Sequence, residues 1–567
     1  MTINNLSSES DIRAMEQHLS KLANDLYAAF PCDGSRVNAL ASQQSTDLPV
    51  PLQPFVTPAI SSVLPQSIST RQGMTVPSYF ELPSEVNVAQ LQRVSPRSLS
   101  SLQQPVPSAF NLPPEAQIEK LVLPRTGIDA YASAVNPETS FYFLQESQPF
   151  SETVPVLQGQ HRAFDVAAIR RDFPILNERV NGHSLVWFDN AATTQKPQVV
   201  IDRISYFYEH ENSNIHRAAH ELAARSTDAY EKARQTVATF LNAPSADNII
   251  FVRGTTEGIN LIAKSWGLQN IGEGDEIVIT WLEHHANIVP WQQLCQATGA
   301  VLKVVPVDDS GQVLLDDYQK LLSDKTKLVS FTYVSNALGT ITPAHEMIEL
   351  AHRVGAKVLL DAAQSVSHLS ADVQSLNCDW LVFSGHKIFA PTGIGVVYGK
   401  GALLEAMQPW QSGGNMIEDV TFEHTRYQPA PAKFEAGTGN IADAVGLGTA
   451  LDYVQKIGIQ NIAIYEHELL AYAIDALRRI DGLTLIGTAK EKTSVLSFVL
   501  KGHSSQSVGE SLNKAGIAVR SGHHCAQPIL RRFGLESTVR PSLAFYNTHD
   551  EVDHLVSTVR KIQANHF

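Results

Sequence analysis

The sequence is short of cysteine, of long apolar runs and of surplus basic charge, and each shortage closes off a class of function. Only four cysteines, Cys32, Cys295, Cys378 and Cys525, are spread over 567 residues. A disulfide framework needs them dense and paired, so this spacing fits a reducing compartment. No apolar stretch reaches the ~18 residues that a membrane-spanning helix requires. The opening "MTINNLSSESDIRAM" lacks the basic-then-apolar order of a secretory leader. The expectation is therefore a cytoplasmic protein with no membrane partner. Asp and Glu number 57 against 43 Lys and Arg, for a formal charge of −14. Nucleic acid needs the opposite balance, because Lys and Arg neutralise its phosphates.

Glycine is also scarce where proline is abundant. Residues 1–150 hold 3 of the 33 glycines but 16 of the 29 prolines, with much Ser and Gln. Proline removes backbone donors and interrupts helices and sheets. This segment reads as a largely disordered tail, apart from a helix over roughly Ser10–Phe30 with apolar residues at helical spacing. Inside it, "VPSYFELPSEV" (Val76–Val86) and "VPSAFNLPPEA" (Val106–Ala116) share seven of eleven positions. A looser third version, "TSFYFLQES", spans Thr139–Ser147. Apolar anchors repeated along a flexible chain suit a multivalent docking ligand, since linked weak sites gain effective concentration. Chance similarity in a Ser/Pro-rich tail, or segments that cover the chain's own surface, is the alternative.

From residue 165 the pattern becomes strands alternating with helices. Apolar, β-branched runs begin at 248, 275, 301, 327, 357 and 380, and a helix is expected from Ala344. Such strands with helical crossovers predict a mostly parallel sheet covered on both faces. A helix-rich stretch from about 443 and a second α/β pattern predict a smaller C-terminal domain. The expected organisation is the tail over 1–150 and a catalytic region over 165–567. Its large domain would span about 186–440, and its small domain about 165–185 plus 441–567.

Several motifs carry chemistry. "RSGHHCAQP" (Arg520–Pro528) sets Cys525 behind two histidines and among polar residues, as for an accessible thiol that can ionise. "FSGHK" ends on Lys387 just past a strand, where poor solvation favours a neutral, nucleophilic amine. "VLLDAAQS" puts Asp361 at a strand's carboxyl end, with Gln364 three positions on. That carboxylate can pair with a pyridinium nitrogen or simply cap a helix. "FVRGTTEGIN" offers Thr255 and Thr256 at a helix N-terminus, an anion site suited to phosphate. "EHHANIVPW" places His284 and His285 after another strand. Adjacent histidines suggest metal, but neither HExxH spacing nor a CxxC pair accompanies them, and no metal is expected.

From about Phe173 to Ile562 the chain resembles the pyridoxal-phosphate-dependent cysteine desulfurases of the SUF type (group II), which are close to selenocysteine lyases. The resemblance rests on "FDNAATTQKP", "NIHRAAHELA", "RGTTEGIN", "EHHANIVPWQ", "DAAQS", "SGHK", "RSGHHCAQP" and "SLAFYNT", met in family order. It implies a fold-type I, aspartate aminotransferase-like α/β protein acting as a homodimer on L-cysteine. Lys387 would hold pyridoxal phosphate covalently and move the proton at the substrate's α-carbon. His284 would stack on the cofactor ring, Asp361 would pair with its nitrogen, and Gln364 would contact its phenolic oxygen. Thr255, Thr256, Ser384 and His386 would hold the phosphate, and Thr438 of "EAGTGN" would reach the neighbouring subunit's phosphate site. Arg520, Arg540, Asn336 and His216 would bind the substrate, the arginines through its carboxylate. Cys525 would attack the substrate sulfur and keep it as a persulfide, releasing alanine. The acceptor beyond it would be a SufE-like protein, a small thiol or a storage pool.

The chain departs from the pattern at Pro541, where many relatives carry a small residue, and at "GTGN", which replaces "GTPN". Neither change removes a reactive group. The tail is the larger departure. It is similar to the N-terminal regions of desulfurases packaged inside family 2 encapsulin shells, where aromatic/Pro motifs dock on the inner wall. A selenocysteine lyase, or a free SUF-pathway desulfurase whose tail binds another partner, is the alternative.

Overall fold

A computed structural model describes residues 164–215 and 220–565. The expected Ser10–Phe30 helix, the segments Val76–Val86, Val106–Ala116 and Thr139–Ser147, Cys32 and His216 lie outside the described residues.

The central sheet has seven strands: β1 (Ile249–Val252), β2 (Glu276–Thr280), β3 (Val301–Val305), β4 (Thr326–Thr332), β5 (Lys357–Asp361), β6 (Trp380–Ser384) and β7 (Gly395–Gly399). Their spatial order is β1-β7-β6-β5-β4-β2-β3. The run from β3 to β6 is parallel throughout. β7 runs antiparallel between β6 and β1, so the sheet is mixed rather than all parallel. The six apolar runs of the sequence are all strands. β1, β2, β6 and β7 are buried at every residue, which is why they read as continuous apolar segments instead of alternating ones.

Seven helices frame the site: α1 (Gln198–His210), α2 (Glu221–Phe240), α3 (Thr255–Ile262), α4 (Ile441–Ile457), α5 (Ile459–Arg478), α6 (Ser505–Lys514) and α7 (His549–Gln563). α4 is apolar nearly all round because it packs against both α1 and α2. A Cβ at Gly448 would lie 3.1 Å from the Ala233 backbone, so glycine sets the close approach of α4 to α2. α7 opens with a capping box, in which Thr548 Oγ1 accepts the Glu551 N–H and Glu551 Oε2 accepts the Thr548 N–H.

The C-terminal part carries a second, antiparallel sheet of β8 (Leu483–Leu485), β9 (Phe498–Leu500), β10 (Arg520–Gly522) and β11 (Thr538–Arg540). Its order is β8-β9-β11-β10, with α5 and α6 packed against it. Two further links join this part to the start of the described residues. Ile517–Ala518 pairs in parallel with Val186–Trp187, and Ser542 bridges to Asp189. They bring β10, β11 and the loop between them to the carboxyl ends of β4, β5 and β6, where open α/β sheets bind ligands.

Candidate active site

A cavity of about 190 Å3 opens at those strand ends. Asp361 closes β5, Ser384 closes β6, and Thr255 opens α3 after the turn from β1. Loops after β2 and β4 carry His284 and Asn336 to the same space, while Gln364, His386 and Lys387 follow β5 and β6. Arg520, Arg540 and Cys525 reach it from the small sheet, and Thr256 stands at its rim. Of the expected site residues that the structure describes, only Thr438 lies elsewhere. It is exposed, with Oγ1 3.5 Å from Asn214 Oδ1.

The Lys387 turn is held from outside. The carbonyl of His386, which immediately precedes the lysine, accepts from Thr194 N–H at 2.9 Å and from the hydroxyls of Thr193 and Thr194 at 3.0 and 3.2 Å. Lys196 Nζ approaches the same oxygen at 3.4 Å. Thr194 Oγ1 also accepts the Phe389 N–H at 2.7 Å. Phe389 has φ +64°, a left-handed conformation that a bulky side chain adopts only under constraint. Thr194 therefore grips the turn on both sides of Lys387. Gly395 lets β7 pass under the Gly254 turn that starts α3, since a Cβ there would sit 2.5 Å from Gly254 Cα and 2.7 Å from the Phe383 carbonyl.

Burial tunes the titratable groups. It strips the Lys387 ammonium of water and lowers its pKa to about 8, with Asp361 opposing the shift and the two arginines adding to it. Asp361 is pushed above the usual carboxylate range by burial, while the Ala363 N–H on its Oδ1 at 2.9 Å and the charge of Lys387 hold it down. That contact is a two-residue turn using one carboxylate oxygen, not a helix cap. His284 falls to about 3, first through burial and then through Lys387 and neighbouring cations. Its Nδ1 accepts the Ala286 N–H at 3.0 Å, so the neutral ring carries its proton on Nε2. His386 is likewise held near 4, mainly by burial, and is uncharged at neutral pH. Ser384 Oγ accepts the Thr255 N–H at 2.9 Å, tying the end of β6 to the start of α3. Gln364 donates Nε2–H to the Ala191 carbonyl at 2.7 Å.

Arg540 is 1% exposed and sits opposite Arg520 in the β10–β11 register. Its Nη1 donates to the Asn336 carbonyl at 2.8 Å, and its Nη2 meets Asp189 Oδ1 at 3.2 Å. Burial lowers its pKa to about 10, which leaves it charged at neutral pH. Two adjacent guanidinium groups at a cavity wall make a carboxylate site. Cys525 follows in the β10–β11 loop. His524 and Cys525 both have left-handed φ, +53° and +55°. The loop is pinned by Asn336 Nδ2 on the His524 carbonyl at 2.7 Å and by His285 N–H on the Cys525 carbonyl at 2.9 Å. A half-buried thiol is thus held on a strained loop beside Arg540 and Lys387.

Residues 186–555 match the family model described as aminotransferase class-V. The chain belongs to that family. A cysteine desulfurase of Synechococcus elongatus is 64% identical over 524 residues, covering 90% of this chain and 83% of that protein. One from Klebsiella pneumoniae is 50% identical over 400 residues, covering 70% of this chain and 98% of that protein. The apo cysteine desulfurase structure from Thermococcus onnurineus NA1 matches with a TM-score of 0.68 and 35% identity, over 70% of this chain and 98% of that one. The chain has the fold-type I aminotransferase-like architecture, and the enzyme class these relatives define is that of pyridoxal-phosphate-dependent cysteine desulfurases. The Synechococcus match extends into the residues ahead of 164, because 90% of the chain exceeds residues 164–567.

Within this family site, Asp189, Lys196 and Glu283 had no role in the sequence reading, and His524 figured there only as one of the two histidines before Cys525. Asp189 pairs with Arg540, Lys196 braces the His386 carbonyl, and His524 lines the cavity. Glu283, which precedes His284, is fully buried and accepts from Thr280, Asn287 and the Thr332 N–H. All four stand inside motifs that marked the site, and Asp189 and Lys196 act on neighbours far away in sequence. The other described cysteines lie apart from the cavity: Cys378 is buried and its thiol is pushed up to about 12 by burial, and Cys295 sits half-buried in the helix Val289–Thr298.

Proposed function

We propose that the chain converts L-cysteine to L-alanine and captures the sulfur on Cys525 as a persulfide. The observation that carries this reading is the meeting of a buried, low-pKa lysine, a paired-arginine carboxylate site and an accessible thiol in one cavity. The donor set fits pyridoxal phosphate. Lys387 offers an amine that is half neutral near pH 8, and Asp361 keeps one oxygen beyond its turn contact. Asn336 Oδ1 and Arg540 Nε are buried without partners, as expected where a ligand completes the bonding. When bound, the cofactor supplies an electron sink that makes the α-carbon of an amino acid acidic.

The residues then divide the work. Arg520 and Arg540 take the substrate carboxylate, and Asn336 holds both Arg540 and the nucleophile loop in register. Lys387 moves the α-proton, for which an amine with pKa near 8 is well matched to neutral pH. Neutral His284 would face the cofactor ring, and Asp361, Gln364, Thr255, Thr256, Ser384 and His386 would complete its seat. The Cys525 thiolate attacks the substrate sulfur, the carbon–sulfur bond breaks with its electron pair left on carbon, and that carbon takes a proton. Cysteine and the enzyme thiol thereby become alanine and an enzyme persulfide, with no outside oxidant. The test is alanine and persulfide formation from L-cysteine by the holoenzyme beside Cys525→Ala. Wild type should yield both, and the variant should lose the persulfide. Equal alanine release by the two would overturn the role of Cys525.

The reading extends to a SUF-type homodimer in which Thr438, exposed in the single chain, completes the other subunit's phosphate seat, and in which His216 joins the substrate set. A SufE-like protein is the expected sulfur acceptor. The repeated segments at Val76–Val86, Val106–Ala116 and Thr139–Ser147 support docking of the tail inside an encapsulin shell in the cytoplasm. The similarity of the Synechococcus relative ahead of residue 164 is consistent with a tail of shared use. Removing residues 1–150 should spare desulfuration and abolish co-assembly with the shell protein. Loss of activity with the tail would count against packaging as its role.

A further inference from the structure

His524 is 3% exposed, lines the cavity, and bonds through one ring nitrogen only. Its Nε2 lies 2.8 Å from Thr538 Oγ1 and 3.2 Å from the Thr538 carbonyl. A carbonyl only accepts, and a bare Nε2 would set its lone pair against that oxygen, so Nε2 carries the proton. Nδ1 is then an acceptor, and it is buried with no partner. Burial, with Arg540 and Arg520 nearby, holds the ring far below the usual histidine range and keeps it neutral. The backbone is fixed as well: φ is +53°, and Asn336 Nδ2 grips the carbonyl at 2.7 Å. A rigid, buried lone pair at a ligand cavity is a recognition element awaiting a donor.

We propose that His524 Nδ1 accepts a hydrogen bond from the thiol of the incoming amino acid and so selects cysteine over amino acids that lack it. The inference rests on the desulfuration reading of this site. Among the groups of such a substrate, the carboxylate offers no donor and belongs to Arg520 and Arg540. The amino group is directed to Lys387. The sulfur has to come within reach of Cys525, the next residue in the chain, which leaves the S–H as the donor nearest the ring. Reading one hydrogen of the substrate in this way gives selectivity, because an amino acid without the donor leaves the buried Nδ1 unpaired.

Two substitutions separate this role from loop support. In His524→Gln the amide can keep the Thr538 contact, but nothing stands in place of Nδ1. In His524→Asn an acceptor remains near that position, and asparagine tolerates the left-handed backbone. The measurement is the affinity of the full-length holoenzyme for L-cysteine and for L-alanine, followed by the change in its visible absorbance, together with the iodoacetamide labelling rate of Cys525. His524→Gln should weaken L-cysteine roughly three- to tenfold while L-alanine stays within about twofold, as for loss of one neutral hydrogen bond. Labelling should be unchanged, and His524→Asn should recover most of the loss. Equal weakening of both amino acids, or altered labelling with intact selectivity, would overturn the proposal. A wild type that makes no persulfide would refute desulfuration at Cys525 while the selectivity of binding still reports on His524.

Discussion

The grip of Thr194 on the Lys387 turn yields a quantitative expectation for Thr194→Val. Valine matches threonine in shape, so the 2%-exposed site is neither emptied nor overfilled. What disappears is the hydroxyl that accepts the Phe389 N–H at 2.7 Å and donates to the His386 carbonyl at 3.2 Å. The carbonyl keeps the Thr194 N–H, Thr193 and Lys196, so its loss is small. The Phe389 N–H has no such reserve, and a buried donor left unpaired costs about 1–3 kcal/mol. Partial relaxation of Phe389 from φ +64° returns some of this, up to about 1 kcal/mol. The net expectation is about 2 kcal/mol of lost stability, read as a lower urea midpoint at constant slope. Because the turn carries Lys387, cofactor should also leave the variant faster on dialysis. Thr194→Ser keeps the hydroxyl and should retain cofactor like the wild type. A Val variant within about 0.5 kcal/mol of wild type, with unchanged cofactor retention, would refute the clamp.

Three further expectations follow from the titratable groups and the arginine pair. Capture of pyridoxal phosphate by the apo-enzyme should quicken about tenfold per pH unit up to about 8, where the Lys387 amine becomes neutral, and then level off; Asp361→Asn, which removes the charge that raises this pKa, should move the break to lower pH, and a rate still climbing at pH 10 would contradict it. Burial lifts Glu283 from 4.5 to about 8, so between those values the folded chain keeps a proton that the unfolded chain has released. Stability from this group is complete below pH 4.5 and is lost as pH rises towards 8, hence Glu283→Gln should flatten the fall in Tm measured across that window. Arg540→Lys gives up the fork that spans the Asn336 carbonyl and Asp189, and KM for L-cysteine should rise roughly tenfold or more in steady-state assays.

Strand chemistry was legible where burial made it redundant. The run Ile249–Val252 is apolar at every position because every one of its residues is buried. Direction was not legible. "GVVYG" is as apolar as its neighbours, yet it enters the sheet antiparallel, and only its pairing with both β6 and β1 reveals this. The strands of the small sheet are three residues long, below the length at which a period can be seen. At the site, motif residues such as Lys387, Asp361 and Cys525 announced themselves through strand ends and rare residue types. Thr194, Lys196 and Asp189 stood in a motif that marked the family but no role. Their work is done on a carbonyl or guanidinium nearly two hundred or more residues away, and a one-dimensional pattern carries no trace of it.

The overall charge was informative for exclusion and silent about the site. A chain of net −14 concentrates Lys387, Arg520 and Arg540 at one cavity, faced by Asp361 and Asp189, both held above the usual carboxylate range chiefly by burial. Local positive potential of this kind costs desolvation energy, which the lowered pKa values of Lys387 and Arg540 express. Asp361 and Asp189 offset part of that cost, and the two anions of the proposed chemistry, a phosphate and an α-carboxylate, would offset more. The same field bears on the nucleophile. Cys525 lines the same cavity as Arg540 and Lys387, so the sulfur it receives would be held beside them. One cluster of cations thus lines the space shared by the cofactor, the substrate carboxylate and the sulfur acceptor. This is why Arg540→Lys, which keeps the charge but loses the fork, separates geometry from field: a large rise in KM assigns the substrate carboxylate to the fork, and an unchanged KM assigns it to charge alone.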